Sequence, residues 1–251
     1  STLAPTVTSF KNSGSSVLIG SYNILNLEVV DDLSTGRFAL IAQHIVTNMG
    51  APDILGLQEI QDNDGATGTD STVTSASLTL QTIIDEINKI SSDSNYHFID
   101  NTFIGDDTNG GQPGGNIRTA FLYNANRVSY DEASLNAVVD PVDQQNNPEN
   151  PFFNSRLPLA ATFGFMGQTI EVVNVHLASK GGSAPTTSSD AQPFEFRQSD
   201  ADVNGSVDQR FVMSQAIREY VSGKDNVVVL GDFNEFEFNL PLVNLLDTPL
   251  T

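Results

Sequence analysis

Four apolar stretches of the chain end in polar residues that could bind a metal or take part in acid–base chemistry. They are SYNILN with Asn23 and Asn26, DILGLQEI with Glu59, VVNVHLASK with Asn174 and His176, and VVVLGDFN with Asp232 and Asn234. In proteins built on sheets, ligands and catalytic groups lie at the carboxyl ends of the strands. A carboxylate there is costly to bury unless it is paired or bound to a metal. We therefore expect these side chains to meet in one site.

Composition restricts the chemistry of this site. The 251 residues include no Cys, which excludes zinc–sulfur sites, disulfides and thiolate nucleophiles. Carboxylate, amide and imidazole ligands favour Mg²⁺, Mn²⁺ or Ca²⁺. A cation held by Glu59, a water held by Asp232 and a donor from His176 are the parts that phosphodiester hydrolysis requires. Asn23 and Asn234 would orient these groups through neutral hydrogen bonds.

The elements that must position these residues are strands and helices in a mixed order. Apolar residues at helical spacing predict helices over Gly36–Met49, Leu78–Ile90 and Val207–Val221. Runs between turn-forming residues predict strands over Val17–Tyr22, Asp53–Leu57, Tyr96–Ile99, Ile117–Tyr123, Leu157–Phe163, Ile170–His176 and Asn226–Leu230. This order favours an α/β sandwich with two sheets face to face and helices outside. Residues 1–16 are expected to form a linker or edge segment.

The order N-x-x-N, LQE, NVHL and GDFN resembles the endonuclease/exonuclease/phosphatase superfamily over roughly residues 17–247. Each motif alone is weak, because a sequence such as GDFN also forms an ordinary turn. Their combination in this order is specific. Within the superfamily, the chain is most similar to secreted bacterial nucleases through NVHLASKGG (Asn174–Gly182), IRTAFLYNANRV (Ile117–Val128), QRFVMSQA (Gln209–Ala216) and GDFNEFEF (Gly231–Phe238).

The resemblance implies a four-layer α/β sandwich of the DNase I type, formed by residues 17–251, and a catalytic Mg²⁺ or Mn²⁺ ion. It places Asn23, Glu59, His176, Asp232 and Asn234 at the motif positions of the family. Glu59, Asn23 and Asp232 are then the candidate metal ligands. His176, Asp232, Asn234 and Asn23 are the candidate catalytic residues.

Three further residues, Arg118, Lys180 and Asn174, are candidates for binding the substrate phosphate. Arg118 resembles a family position that faces the phosphate, although an ion pair with a nearby carboxylate explains it equally. Lys180 could steer phosphate or be a solvated loop residue. Within the loop Asp62–Ser75, the segment Asp62–Gly65 together with Asp70 raises the alternative of a structural Ca²⁺ site. Its spacing does not match an EF-hand, which favours a plain solvated loop.

The sequence departs from the family pattern at its C-terminal end. That pattern closes with an Asp-His pair, often S-D-H, which assists metal binding and catalysis. No such pair follows GDFN, and the two remaining histidines, His44 and His97, lie in other patterns. We therefore expect the last C-terminal strands to be missing, additional domains in the natural protein, and a 251-residue form that is short of a complete site. The start at Ser1, without a signal peptide, is typical of a mature fragment or a domain.

The net charge of the chain does not identify the substrate. Thirty-one acidic and eleven basic residues give a formal net charge of −20, which opposes binding of a polyanion such as DNA. Bound cations, a locally basic rim or a salty medium could offset this repulsion. The absence of long apolar runs predicts no membrane span.

Three functions remain in view for a secreted, monomeric protein. The first is an extracellular nuclease that degrades DNA, with RNA as a further substrate. The second is a phosphomonoesterase or lipid phosphodiesterase on the same fold, which the scarcity of Lys and Arg suits better. The third is a catalytically incomplete binding module, which the missing Asp-His pair favours.

Overall fold

Two mixed four-stranded sheets form the centre of the molecule. The computed structural model describes residues 6–68, 71–180, 206–235 and 245. The first sheet contains β1 (Ile19–Leu27), β2 (Ile54–Ile60), β3 (Tyr96–Ile99) and β4 (Arg118–Asn124), in the order β1-β2-β4-β3. The second contains β5 (Ser129–Ala137), β6 (Leu159–Phe165), β7 (Gln168–His176) and β8 (Val227–Asp232), in the order β5-β6-β7-β8. β1 and β2 are parallel, as are β7 and β8, and the other pairs are antiparallel.

Helices flank the sheets. They are α1 (Val29–Thr35), α2 (Arg37–Gln43), α3 (Ser77–Ile90), α4 (Pro141–Asn146) and α5 (Ser206–Val221), with a π-helical turn at His44–Asn48 and a 3₁₀ turn at Gly65–Gly68. The three predicted helices are present, the first of them as α2 and the π-helical turn. Sequence patterns did not predict α1, α4 or β5. These elements are short or largely exposed, so they lack the apolar periodicity on which such predictions depend.

The buried side chains separate into three clusters, which define four layers. Leu55 and Leu57 of β2 pack with α2 and α3. A second cluster, which includes Ile54 and Phe163, lies between the two sheets, and a third joins the second sheet to α5. Alternate residues of a strand face opposite sides of its sheet, which is why Ile54 and Leu55 enter different clusters. The predicted four-layer α/β sandwich is confirmed.

The N-terminal segment, residues 6–16, is held against the edge of the first sheet. Asp53 is fully buried and accepts a hydrogen bond from Asn12 Nδ2 at 2.9 Å. Arg127 forms an ion pair with Asp53 at 3.0 Å and donates to the carbonyl oxygens of Ser13 and Ser16. Buried charges are retained where they are paired. In this protein the ion pair fixes the segment that leads into β1.

No described helix has the length and apolar character that crossing a membrane requires.

Candidate active site

The polar ends of β1, β2, β7 and β8 meet at one end of the sandwich. Because β7 and β8 are parallel, His176 and Asp232 are register partners at their carboxyl ends. His176 Nε2 lies 3.7 Å from Glu59 Oε1 and 4.0 Å from Asp232 Oδ2. One ligand atom from each of these three residues lies within 4.8 Å of the others. The first sheet thus supplies Glu59, and the second supplies His176 and Asp232.

Asn23 connects the two carboxylates across the gap between the sheets. Its Nδ2 donates to Glu59 Oε1 at 2.8 Å and to Asp232 Oδ2 at 2.9 Å. Its Oδ1 accepts the Leu25 N–H at 2.9 Å, which fixes the orientation of the amide. Asn23 therefore presents a donor to the carboxylates and not an oxygen ligand. Its roles in orienting the site and in binding the metal stay predictions.

Glu59 occupies a strained backbone conformation. Its φ is 63°, in the left-handed region that non-glycine residues rarely adopt. Residues held in such regions cost on the order of 1–3 kcal/mol and persist only where surrounding contacts fix them. One such contact is the Asn26 N–H, which donates to Glu59 Oε2 at 3.0 Å. This backbone conformation directs the carboxylate of Glu59 to the same gap as Asn23.

Asp232 is held by the turn that follows it. The Asn234 N–H donates to Asp232 Oδ1 at 2.9 Å, and Asn234 Nδ2 donates to the Leu177 carbonyl at 3.0 Å. Before it, Gly231 has φ 137°, and a Cβ there would lie 1.9 Å from the Val175 carbonyl oxygen. The motif GDFN therefore requires glycine for close contact between β7 and β8. Asn234 links Asp232 to the residue after His176.

His176 is neutral at physiological pH. Burial and the positive charge of Arg156 lower its pKa to about 4, against the opposing effect of Asp232. Its Nε2 faces two carboxylates at 3.7 and 4.0 Å, an environment that favours the imidazole proton on Nε2. Its Nδ1 is buried without a hydrogen-bond partner among the described residues. A neutral imidazole with a proton on Nε2 can donate one hydrogen bond, and donation to the phosphate stays a prediction.

Arg156 is a residue of the site that the sequence patterns did not identify. It precedes β6, is 8% exposed, and donates through Nη2 to the Leu177 carbonyl at 2.5 Å. Burial lowers its pKa, and the negative charges of Glu59 and Asp232 raise it. Its Nε has no hydrogen-bond partner within the described part of the chain. The sequence signal was an arginine directly before an apolar strand of an acidic protein, a position where burial requires nearby negative charge.

Two residues that we expected to bind phosphate have other roles. Arg118 is fully buried, pairs with Asp100 at 3.1 Å, and donates through Nε to the Asn116 carbonyl. Of its two interpretations, the ion pair is the one that the geometry supports. Asn174 is fully buried, and its Nδ2 already has two carbonyl acceptors. An amide nitrogen has two hydrogens, so Asn174 has no donor left for a phosphate.

Lys180 is exposed, four residues after His176 and at the last described position before the gap that begins at residue 181. Its role in steering phosphate stays a prediction.

The Asp62–Ser75 loop is closed by hydrogen bonds of Asp62. The Asp62 carboxylate accepts from the Gly65 N–H at 2.8 Å and from Asn116 Nδ2 at 3.0 Å. Burial raises the pKa of Asp62 to about 6, although these two donors act in the opposite direction. Among the described residues, one group of three acidic or histidine side chains is close enough to hold a metal, and it consists of Glu59, His176 and Asp232. The alternative of a structural Ca²⁺ site in this loop thus has no support from its described part, and Asp70 lies outside the described residues.

The residues present fit a divalent cation. Glu59 and Asp232 offer hard oxygen ligands within reach of one ion, and the His176 imidazole lies beside them. The two carboxylates share one Asn23 amide as their donor, so a cation would relieve their mutual repulsion. Mg²⁺ and Mn²⁺ suit such ligands.

Solved structures with this fold are similar to the chain only at low identity. An endonuclease/exonuclease/phosphatase family protein from Bacteroides thetaiotaomicron shares 16% identity with a TM-score of 0.52, over 91% of this chain and 66% of its own. One from Leptotrichia buccalis C-1013-b shares 12% with a TM-score of 0.51, over 92% and 72%. ANGEL2, a 2',3'-cyclic phosphatase, shares 17% with a TM-score of 0.50, over 87% and 53%. These likenesses show the fold alone.

Among curated proteins, no sequence matches the chain significantly. The chain spans 66% of the length of the Bacteroides protein and 53% of ANGEL2. The family model of the endonuclease/exonuclease/phosphatase family matches residues 20–250, a range that contains every candidate site residue. Members of that family are metal-dependent phosphodiesterases and phosphatases. The chain therefore belongs to the endonuclease/exonuclease/phosphatase family.

Proposed function

We propose that this protein is a divalent-metal-dependent phosphodiester hydrolase, and that its natural role is that of a secreted nuclease that degrades DNA, with RNA as a further substrate. The observation that carries the proposal is the cluster of Glu59, Asp232 and His176, with the Arg156 cation beside it. This set combines metal ligands with two donors for phosphoryl oxygens. The reaction class rests on that geometry, and the nuclease role rests on the motif similarity.

Each residue has a distinct part in this proposal. A bound Mg²⁺ or Mn²⁺ would neutralise charge on the phosphoryl oxygens and lower the pKa of a coordinated water. Asp232 has a side chain that is 31% exposed, against 15% for Glu59, so it is the carboxylate that can hold the attacking water. Glu59 serves as a metal ligand. His176 Nε2–H and Arg156 donate to the phosphoryl oxygens, whose charge grows in the transition state.

Asn23 and Asn234 keep the site in order before substrate arrives. Asn23 holds the two carboxylates at a fixed separation, and Asn234 fixes Asp232 against the loop after His176. Because these hydrogen bonds are already formed, no reorganisation is needed during the reaction.

A lipid phosphodiesterase or a phosphomonoesterase is the second candidate. Three large apolar residues from the last part of β1 to the end of α1 are half or more exposed: Leu25 at 67%, Val30 at 50% and Leu33 at 51%. Leu25 lies two residues from Asn23, so apolar surface is present close to the site. Together with the net charge of −20, this surface suits a neutral or lipid phosphate ester.

Hydrolysis assays test the proposal and separate the candidates. The 251-residue chain and the longest natural form of the protein would be incubated with plasmid DNA, RNA, bis-p-nitrophenyl phosphate and sphingomyelin vesicles, with Mg²⁺, Mn²⁺ or EDTA. We expect cleavage of DNA and of the small diester that requires the metal. Cleavage of vesicles alone would support the lipid candidate. Metal binding without hydrolysis by either form would support the incomplete binding module.

Two substitutions test the assigned site. Glu59→Gln and Asp232→Asn should each lower the rate by about a hundredfold or more, because each removes a charge that acts in the transition state. Exposed carboxyls provide matched controls, since Glu149→Gln and Asp93→Asn make the same charge change away from the site. Both controls should retain the wild-type rate. Full activity in the Glu59 and Asp232 variants would disprove the assignment.

A further inference from the structure

The strand that carries Glu59 contains one extra residue. Leu57 pairs with Ala120, and the next pair joins Ile60 to Arg118. Two residues of β2, Gln58 and Glu59, therefore face a single residue of β4, which defines a β-bulge. In a regular strand Glu59 would share the face of Leu55 and Leu57, which pack towards the helices. The bulge is what turns its carboxylate towards the site.

A side chain of the opposite sheet binds this bulge. Asn174 Nδ2 donates to the Leu57 carbonyl at 2.9 Å and to the Ala120 carbonyl at 2.8 Å. These two residues are the last regular pair before the extra residue. Asn174 Oδ1 accepts from Gln58 Nε2 at 2.7 Å. We call Gln58 and Asn174 the amide bridge.

The packing of the two sheets brings this bridge together. A Cβ on Gly56 would lie 2.3 Å from Leu230 Cδ1 and 3.1 Å from Asn174 Cγ. Glycine at this position lets β7 approach the backbone of β2. Gln58 is 1% exposed and Asn174 is 0% exposed, so water does not replace these hydrogen bonds. A buried amide that lost its partner would be left unsatisfied.

We propose that the amide bridge is a positioning device for Glu59, which fixes the bulge and thereby sets the geometry of the metal ligand. A strand that loses a bulge shifts its pairing by one residue, and its side chains then change faces. Asn174 prevents this shift because it binds the backbone on both strands at the point where regular pairing stops. The amide bridge acts on the site only through Glu59. Its consequence for catalysis rests on the proposed function, whereas its effect on Glu59 does not.

The test variant is Asn174→Leu, which keeps approximate size and removes the hydrogen bonds. The Mn²⁺ dissociation constant, measured by electron paramagnetic resonance, should rise about 10- to 100-fold, the range found when groups that orient metal ligands are lost. A second readout needs no metal. The Asn26 N–H donates to Glu59 Oε2, so its hydrogen exchange in EDTA should accelerate more than that of Leu80 in α3.

Asn109→Leu is the matched control. Asn109 is 1% exposed and donates to the Ile117 carbonyl at 3.1 Å, so its loss also removes a buried amide hydrogen bond. It should lower Tm and leave both Mn²⁺ affinity and Asn26 exchange at wild-type values. Gln58→Met, which keeps both Asn174 donor bonds, should change both readouts in the same direction by a smaller factor. This milder variant provides the test where Asn174→Leu does not fold.

Combination with Glu59→Gln identifies the route of the effect. Because the bridge acts through Glu59, Asn174→Leu should cause no further loss of Mn²⁺ affinity in that background. The inference is overturned if Asn174→Leu only lowers Tm, or if it raises KM with Mn²⁺ affinity and Asn26 exchange unchanged. Absence of hydrolysis in the wild-type protein would contradict the proposed function, while Asn26 exchange would still decide the role of the bridge.

Discussion

Replacement of Arg156 by Met should raise the pKa of His176. Burial is the larger cause of its low value of about 4, and the Arg156 charge is the second. Met keeps the buried volume and removes the charge, so the pKa should move towards 6.5 without reaching it. Heteronuclear NMR of the histidine side chains in EDTA would measure this value directly. His44→Gln and His97→Gln would assign the other two signals.

This shift also changes the dependence of stability on pH. A histidine with a depressed pKa is protonated first in the unfolded state, so the folded protein loses stability as pH falls from 6.5 towards 4. The difference of 2.5 units corresponds to about 3 kcal/mol at most. We expect the free energy of unfolding, measured in urea at pH 7 and pH 5, to decrease less in Arg156→Met than in the wild-type protein. His176→Gln removes this contribution and provides the control.

The same variant tests the role of Arg156 in the reaction. A hydrogen bond to a charged group contributes about 1.5–3 kcal/mol, so kcat/KM should fall by about 10- to 150-fold. Arg218→Met, a helix residue in α5, removes the same charge elsewhere and should have little effect. An unchanged or lower pKa of His176 in Arg156→Met would refute the electrostatic argument. An unchanged kcat/KM would refute the assignment of Arg156 as a phosphate donor.

Two further substitutions test the framework of the site. Arg127→Met leaves the buried Asp53 without its ion pair, and we expect a loss of about 2–3 kcal/mol in urea unfolding, below the range for fully buried pairs because Arg127 is partly exposed. Lys89→Met, at an exposed pair, should cost under about 1 kcal/mol. Gly231→Ala places a Cβ against the Val175 carbonyl and should abolish Mn²⁺ binding, measured by calorimetry; Gly167→Ala, with open space around its Cβ, should retain it. Equal behaviour within either pair of variants would contradict these explanations.

The sequence predicted the sandwich and the cluster of its site residues because both depend on local patterns. Apolar strands that end in Glu59, His176 and Asp232 place polar groups at their carboxyl ends. Parallel pairing of β7 with β8 brings His176 and Asp232 together, and the packing of the two sheets brings Glu59 to them. The predicted roles of these residues remain to be tested by the substitutions above.

The position of Asn174 and the presence of Arg156 in the site depend on tertiary contacts, which sequence patterns do not show. Asn174 and His176 share one face of β7 but lie two positions apart, about 6.6 Å along the strand, so Asn174 lies deeper, between the sheets. Its neighbours there are carbonyls of β2 and β4, which no pattern within β7 reveals. Arg156 lies in a loop without periodicity, and its approach to Glu59 depends on how the second sheet packs against the first.

The site lies at the interface between the two sheets, and each sheet supplies part of it. Asn23 and Glu59 belong to one half of the sandwich, and His176 and Asp232 to the other. The Asn23 hydrogen bond to Asp232 crosses from one half to the other. A cation bound by Glu59 and Asp232 would therefore also link the two halves. Because it binds only the folded chain, it would raise the free energy of unfolding by mass action. In such an arrangement, a sliding of one sheet over the other alters the site together with the cluster that packs between the sheets.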